Sequence, residues 1–259
     1  MLYVSAGLYA TYVYTYPNLK LLGSLQGLST PMGECVDQSG NVWVTDDNQV
    51  VEYMHGSLKP KLVLSDSGQV ANACSVDPGS GDLAVSNYYG LVHAGPGSIA
   101  IYKRARGKPT LYSDTNVYRP NALSYGSDGT LYVDGENESG GFQLSELSRG
   151  GAFTDLTLSG ATITFPGGVQ YVDGKVVVGD QIESKAYRTT IKGSIAKVTG
   201  TTKLPGTNQV YQFFITGSKL FAVDGGNGDV RIYPYPQGEV LISIILRGSA
   251  PTAVVLSKS

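Results

Sequence analysis

The stretch RPNALSYGSDGTLYVDG, Arg119 to Gly135, decides the fold of this chain. A short apolar segment, ALSY, is followed by the turn sequence GSDGT and by a second apolar segment, LYV. Asp and Gly are residues that tight turns between antiparallel strands prefer. The stretch therefore predicts a β-hairpin, and its second strand carries a motif that recurs along the chain.

The second-strand motif occurs six times, with spacings of 40, 41, 48, 45 and 44 residues. The copies are LYVS, VWVTD, LAVSN, LYVDG, VVVGD and LFAVD, which begin at Leu2, Val42, Leu83, Leu131, Val176 and Leu220. In each complete unit, one apolar strand precedes the motif and two further strands follow it. Units of four short strands repeated radially make a β-propeller. We predict an all-β, six-bladed β-propeller with four antiparallel strands per blade, formed by residues 1–259 as a single domain.

The two ends of the chain predict how the ring closes. The chain starts at a second-strand motif, and its last apolar segment, APTAVVLS (Ala250 to Ser257), reads as a lone inner strand. One C-terminal inner strand and three N-terminal strands would then complete one blade. We predict this 1+3 latch because closing the ring buries the faces of the terminal blades.

Composition narrows the function classes. Only 15% of residues are charged and the net charge is −2, so the chain lacks the basic patch that nucleic-acid binding needs. The longest apolar runs, such as VLISIIL (240–246), are too short to span a bilayer. The charge-poor composition fits an exported bacterial protein. We expect an extracytoplasmic or secreted monomer, although the chain opens on a strand pattern rather than on a signal peptide.

The two cysteines, Cys35 and Cys74, fall one residue apart in the repeat alignment. Side chains alternate along a strand, so the two thiols are expected on opposite faces. We therefore predict two free, buried thiols rather than a disulfide.

Two segments carry a resemblance to a known superfamily. PMGECVDQSGNVWVTD (31–46) and PNALSYGSDGTLYV (120–133) resemble repeats of the six-bladed NHL and SMP-30/gluconolactonase-like propellers. The SMP-30-like enzymes hold a divalent metal, typically calcium, with a Glu, two Asn and an Asp at the inner-strand starts. The resemblance places Asn72 and Asn121 at the two Asn positions, but Met32 and Gly167 at the acidic ones.

A hard cation prefers several oxygen ligands that include carboxylates. Glu34 lies two residues beyond Met32 and is the nearest carboxylate that could join Asn72 and Asn121. We expect no cofactor, no metal ligand and no catalytic residue, with calcium as the alternative. Asn72 and Asn121 then have two readings, as ligand-binding residues or as residues that bond local backbone at a strand start.

The loops after the second strands supply the other candidate ligand-binding residues. They are the acidic and tyrosine side chains Tyr88, Tyr89, Asp134, Glu136 and Asp180. Aligning the inner strands puts six residues at their starts: Met32, Asn72, Asn121, Gly167, Val210 and Thr252. These strand starts and the loops are expected on one face, where they surround the mouth of the central channel. A carboxylate repeated once per blade can also serve structure, because it accepts backbone N–H bonds in the following turn.

These observations favour a non-catalytic binding or interaction module. Its partner would be a small molecule, a glycan or a protein at the channel mouth. The sequence has two histidines and no G-x-S-x-G elbow, P-loop or HExxH motif. The alternative is a hydrolase or lyase of the SMP-30-like kind with an altered metal site.

Overall fold

The computed structural model describes residues 1–7, 10–90, 95–238, 242–245 and 251–258. These residues form 24 β-strands, and the helical structure among them is one 3-10 turn, Lys103–Ala105. The strands have the β-propeller arrangement. The predictions of an all-β chain and of a propeller are therefore confirmed.

Four sheets contain four strands each. The first has the order β24-β1-β2-β3, formed by β1 (Leu2–Ser5), β2 (Thr11–Tyr14), β3 (Leu21–Ser24) and β24 (Ala253–Leu256). The second contains β4 (Pro31–Val36), β5 (Val42–Asp46), β6 (Gln49–Tyr53) and β7 (Leu62–Ser65). The third contains β8 (Gln69–Val76), β9 (Leu83–Gly90), β10 (Ser98–Tyr102) and β11 (Thr110–Tyr112). The fourth contains β20 (Val210–Thr216), β21 (Lys219–Asp224), β22 (Asp229–Pro234) and β23 (Ile242–Ile245).

The remaining sheet has eight strands, in the order β12-β13-β14-β15-β19-β18-β17-β16. Its first half consists of β12 (Arg119–Tyr125), β13 (Leu131–Glu136), β14 (Phe142–Leu147) and β15 (Phe153–Ser159). Its second half consists of β16 (Pro166–Val172), β17 (Lys175–Asp180), β18 (Lys185–Lys192) and β19 (Ile195–Lys203). The halves are antiparallel meanders, and a parallel pairing of β15 with β19 joins them.

Turn chemistry explains the hairpins that precede the repeated motif. In the turn before β5, the Asp37 carboxylate accepts backbone N–H bonds from Ser39 and Asn41 at 2.8 and 2.9 Å. Gly40 and Gly129 occupy the left-handed region, with φ of 79° and 81°. Glycine adopts this conformation without the steric cost that a Cβ brings.

The C-terminal strand lies beside the N-terminal strand. Leu2 pairs with Leu256 and Ser5 with Ala253, and the Met1 amino group donates to the Ser257 carbonyl at 2.7 Å. Consecutive side chains of β24 point to opposite faces and enter different hydrophobic clusters. Val254 packs with β21 and β22, and Val255 packs with β5 and β6. One strand thus contributes to two neighbouring inter-sheet cores.

Cys35 and Cys74 form a disulfide, with their Cα atoms 5.5 Å apart. The prediction of two free thiols is wrong. Neighbouring sheets of a propeller stack face to face, so side chains on opposite faces of adjacent sheets point toward each other. The same alternation therefore brings the two thiols together, inside the cluster that also contains Trp43 and Leu64.

Candidate functional site

A β-bulge near the start of five inner strands, β4, β8, β12, β16 and β20, interrupts the pairing with the second strand. The ladder skips Asn72 in β8, Asn121 in β12 and Tyr211 in β20. A bulged residue has no partner across the ladder, and its side chain is re-aimed. These three side chains meet at one cavity.

This cavity, which we call the mouth cavity, has a volume of about 370 Å³. Its lining residues are Met32, Asn72, Tyr88, Asn121, Phe165, Gln181, Tyr211, Gln212 and Thr252. Of the six aligned inner-strand positions, four contribute to the lining, whereas Gly167 and Val210 do not. In β20 the bulge presents Tyr211, and Val210 is buried in the core.

Asn72 and Asn121 form a continuous chain of hydrogen bonds. Asn72 Nδ2 donates to the Asn121 carbonyl oxygen at 2.6 Å and lies 3.3 Å from Asn121 Oδ1. Asn121 Nδ2 lies 3.5 Å from Asp134 Oδ1 and from the Pro166 carbonyl. The two amides bond the next inner strand and also line the mouth cavity. A structural role and a ligand-binding role are therefore compatible for Asn72 and Asn121.

Tyr88 and Glu136 meet directly at the edge of the cavity. The Tyr88 hydroxyl donates to Glu136 Oε1, and Arg119 Nη1 lies 3.9 Å from Glu136 Oε2. Burial and the Glu136 carboxylate raise the pKa of Tyr88 above its ordinary value. Tyr88 therefore remains a neutral donor.

Tyr89 packs edge-on against Tyr88, with ring centroids 4.7 Å apart. The Arg119 guanidinium lies 5.1 Å from the Tyr89 ring, 5.8 Å from the Tyr118 ring and 6.0 Å from the Tyr88 ring. Contacts of this geometry are cation–π interactions. Arg119 and Tyr89 therefore hold Tyr88 in place at the cavity.

Asp134 is fully buried behind Asn121. Its Oδ1 accepts the Ala122 N–H at 2.8 Å, and its Oδ2 accepts the Gly168 N–H of the next inner strand at 3.1 Å. Burial raises the pKa of Asp134 to about 7. Asp134 thus lies one residue behind the cavity and is not among its lining residues.

Asp180 makes several bonds to backbone. Its Oδ2 accepts the Thr164 N–H at 2.8 Å, and its Oδ1 accepts the Ile182 N–H at 3.0 Å. Asp46 and Asp224 are buried at the same repeat position and also accept backbone N–H groups from the preceding loop. These bonds support the structural interpretation of the repeated carboxylates.

Glu34 lies apart from the mouth cavity. Its Oε1 accepts the Ser5 hydroxyl at 2.7 Å, and its side chain lines a second channel cavity of about 450 Å³. Burial raises the pKa of Glu34 to about 8. A β-bulge shifts the register of β4 between Pro31 and Glu34. This bulge separates Met32, which lines the mouth cavity, from Glu34.

The residues of the mouth cavity do not fit a calcium site. Its described lining offers amide and hydroxyl oxygens but no carboxylate, and Asp134 already accepts two backbone N–H bonds. Calcium sites use carboxylates to balance the charge of the ion. The donor set suits an uncharged polar ligand better.

Sequence reasoning missed Phe165, Gln181, Tyr211 and Gln212. Phe165 and Gln181 lie just outside strands, and the other two lie at the bulge of β20. No repeat position marks these residues. Tyr211, an aromatic residue one position beyond the aligned Val210, was the one available signal.

The stacked antiparallel sheets, with a cavity at the inner-strand starts, define a β-propeller protein. No family model matches the chain, and no curated protein matches it significantly. Solved structures share the fold. A crystal structure of a nidogen/laminin complex contains a chain with a TM-score of 0.75 at 12% identity, covering 98% of this chain and 96% of that one.

Two further structures show the same arrangement. A protein of unknown function from Bacteroides caccae gives a TM-score of 0.72 at 11% identity, covering 98% of this chain and 97% of that one. Virginiamycin B lyase from Staphylococcus aureus gives 0.60 at 15% identity, covering 86% and 73%. At these identities the likeness establishes the propeller fold.

Proposed function

We propose that residues 1–259 form one domain with six blades. The eight-stranded sheet counts as two blades, because each half repeats the four-stranded meander and only three residue pairs, from Thr157–Ile195 to Ser159–Lys197, join them. The pairing of β24 with β1 supports the proposed 1+3 latch.

We infer that this propeller is a non-catalytic binding module whose ligand occupies the mouth cavity. The observation that carries the proposal is the lining, in which amide side chains alternate with Tyr88, Phe165 and Tyr211. Amides both donate to and accept from hydroxyl groups, and aromatic rings pack against the apolar faces of sugars. We propose a neutral glycan or another polyhydroxylated small molecule as the ligand.

The size of the cavity agrees with this ligand class. Ligand pockets occupy roughly 300 to 1,000 Å³, and the mouth cavity has about 370 Å³. Gln212 lines the cavity and its side chain makes no hydrogen bond among the described residues. It is therefore a polar group that a ligand can engage without breaking an internal bond.

The alternative is a hydrolase or lyase with an altered metal site. Asp134, with its pKa raised to about 7, lies 3.5 Å from Asn121 Nδ2 and is the observation that favours it. The fold neighbours include a lyase as well as a protein from a protein–protein complex. Proton transfer would require Asp134 to reach the cavity past Asn121.

Calorimetric titration with neutral oligosaccharides tests the binding proposal. We expect saturable binding that Gln212→Ala and Tyr211→Ala each weaken about tenfold. Gln26→Ala is the matched control, because Gln26 is an exposed glutamine that does not line the mouth cavity. Equal binding by all variants contradicts the proposal. Turnover of a sugar or lactone that Asp134→Asn abolishes supports the enzyme instead.

We also propose an extracytoplasmic or secreted location. The disulfide between Cys35 and Cys74 supports it, because disulfides persist in oxidising compartments. Titration of free thiols in the protein isolated from its native cells would test this. Two reactive thiols after denaturation without reductant would contradict the location.

A further inference from the structure

A second cavity, which we call the inter-sheet groove, lies between the sheet β4–β7 and the sheet β8–β11. Its volume is about 800 Å³, larger than that of the mouth cavity. The turns Asp37–Asn41, Asp77–Gly81 and Arg104–Gly107 form its rim. Because Val76 lines this groove and Asn72 lines the mouth, the two cavities lie at opposite ends of the inner strand β8.

Trp43 supplies an unused donor in the groove lining. Its side chain is 2% exposed, and Nε1 is buried without a hydrogen-bond partner in the described part of the chain. A buried donor left unsatisfied costs about 1 to 3 kcal/mol. A carbonyl oxygen that enters the groove would satisfy this donor, and Leu62, Leu64 and Val76 provide apolar surface beside it.

The groove lining holds three acidic and three basic side chains, and each acidic one is already engaged. The Asp37 carboxylate accepts backbone N–H bonds from Ser39 and Asn41. Lys61 pairs with Glu52 at 2.6 Å, and Arg149 pairs with Asp77 at 3.0 Å. Arg104 and Arg106 are exposed and form no salt bridge with the residues that the structure describes. The rim thus presents two guanidinium groups suited to a carboxylate.

The turn that carries these arginines is held in an uncommon conformation. Arg104 and Ala105 are consecutive non-glycine residues in the left-handed region, with φ of 49° and 50°. Such residues cost of order 1 kcal/mol each and persist where the surroundings impose them. Here the Arg104 N–H donates to Asp82 Oδ1 at 2.8 Å, which fixes the turn. Strained backbone of this kind is concentrated at ligand sites.

The two walls of the groove are covalently joined. Cys35 belongs to β4 and Cys74 to β8, so the disulfide connects the two sheets that face each other across the groove. The bond limits relative movement of the sheets. The groove is therefore preorganised, which lowers the entropy cost of binding.

We propose that the inter-sheet groove binds an extended acidic peptide segment. A peptide carbonyl accepts the Trp43 indole N–H, an aliphatic side chain packs against Leu62 and Leu64, and a carboxylate pairs with Arg104 and Arg106. One extended peptide supplies all three features. A neutral glycan lacks both the aliphatic side chain and the charge.

Trp43 is the one tryptophan in the sequence, so its fluorescence reports occupancy of this groove specifically. The probes are acetylated, amidated pentapeptides with one leucine and one glutamate two positions apart, together with matched glutamine and lysine versions. We expect a saturable change in Trp43 emission with the glutamate peptides. The glutamine versions should bind at least about tenfold more weakly, and the lysine versions should give no response.

Variants then test the residues. Arg104→Ala combined with Arg106→Ala should weaken the glutamate peptide about tenfold or more, whereas Lys103→Ala should leave it unchanged. Lys103 is the matched control, since it has the same charge in the same turn but lines a different cavity. Thermal unfolding verifies that each variant is folded, and Gln212→Ala separates this groove from the mouth cavity.

Two results would overturn the proposal. The first is equal emission changes with glutamate and lysine peptides, or no saturable change with any of them. The second is an equal loss of affinity in Lys103→Ala and in the double arginine variant. Anisotropy of a labelled peptide extends the test to Trp43→Phe, which removes the donor and should weaken binding.

Discussion

The disulfide between Cys35 and Cys74 should be a major contributor to the stability of the ring. It closes a loop of 39 residues in the unfolded chain. The chain-entropy relation then gives a stabilisation of about 4 kcal/mol at 25 °C, because the crosslink removes conformations from the unfolded state. For a chain of this length, that loss corresponds to a fall in Tm of about 8 to 16 °C.

Urea unfolding of Cys35→Ala, Cys74→Ala and the double variant measures this contribution. Each single change breaks the same bond, so each should cost nearly as much as both together, and the coupling energy should be about 4 kcal/mol. The m-value should rise as well, because an uncrosslinked unfolded chain exposes more surface.

The refuting result is additivity. If the two single changes each cost about 1 kcal/mol and their sum equals the cost of the double variant, the cysteines are independent buried thiols. An unchanged unfolding midpoint of the parent protein after treatment with reductant in the unfolded state leads to the same conclusion. Either result would also remove the covalent support for the inter-sheet groove.

Three other outcomes are expected. Removal of residues 251–259 should lower Tm by more than about 10 °C, since β24 fills two inter-sheet cores; a truncated protein as stable as the parent would refute the latch. The folded state holds the proton of Glu34 more tightly than the unfolded state, because burial raises its pKa from 4.5 to about 8. Its stabilisation is therefore present below pH 4.5 and lost as the pH rises toward about 8, so Glu34→Gln should flatten the fall in urea stability over this range, and an unchanged profile would contradict the assignment. Asp180→Ala should cost about 2 to 4 kcal/mol in the same assay, because it leaves buried N–H groups unsatisfied, whereas exposed Asp128→Ala should cost much less; equal costs would argue against a structural role for Asp180.

The candidate site was only partly predictable. The repeat alignment identified Met32, Asn72, Asn121 and Thr252, all of which line the mouth cavity. It proposed Val210 where the structure presents Tyr211. The bulge in β20 accounts for the difference, because one extra residue reverses the direction of the side chains that follow.

The acidic residues that were predicted in loops show a second limit, because the structure places them in the C-terminal parts of β13 and β17. The repeat pattern predicts a single role for Asp134, Glu136 and Asp180, as an acidic rim beside the channel mouth. In the structure all three are buried, and each is bonded to other protein groups. Their environments differ because the partners come from separate loops and inner strands, and the spacing of the motif does not specify those partners.

By itself the sequence determined the all-β class and the propeller arrangement. Alternating apolar residues and Asp–Gly turns act over a few neighbouring residues, so one copy such as GSDGTLYV already specifies a hairpin, and six copies specify a repeat. Only the tertiary structure decided the pairing of Cys35 with Cys74, the burial of Glu34 away from the mouth, and the meeting of Trp43 with Arg104 in one groove. Those contacts depend on bulges and on the stacking of one sheet on the next, and residues distant in the chain set both.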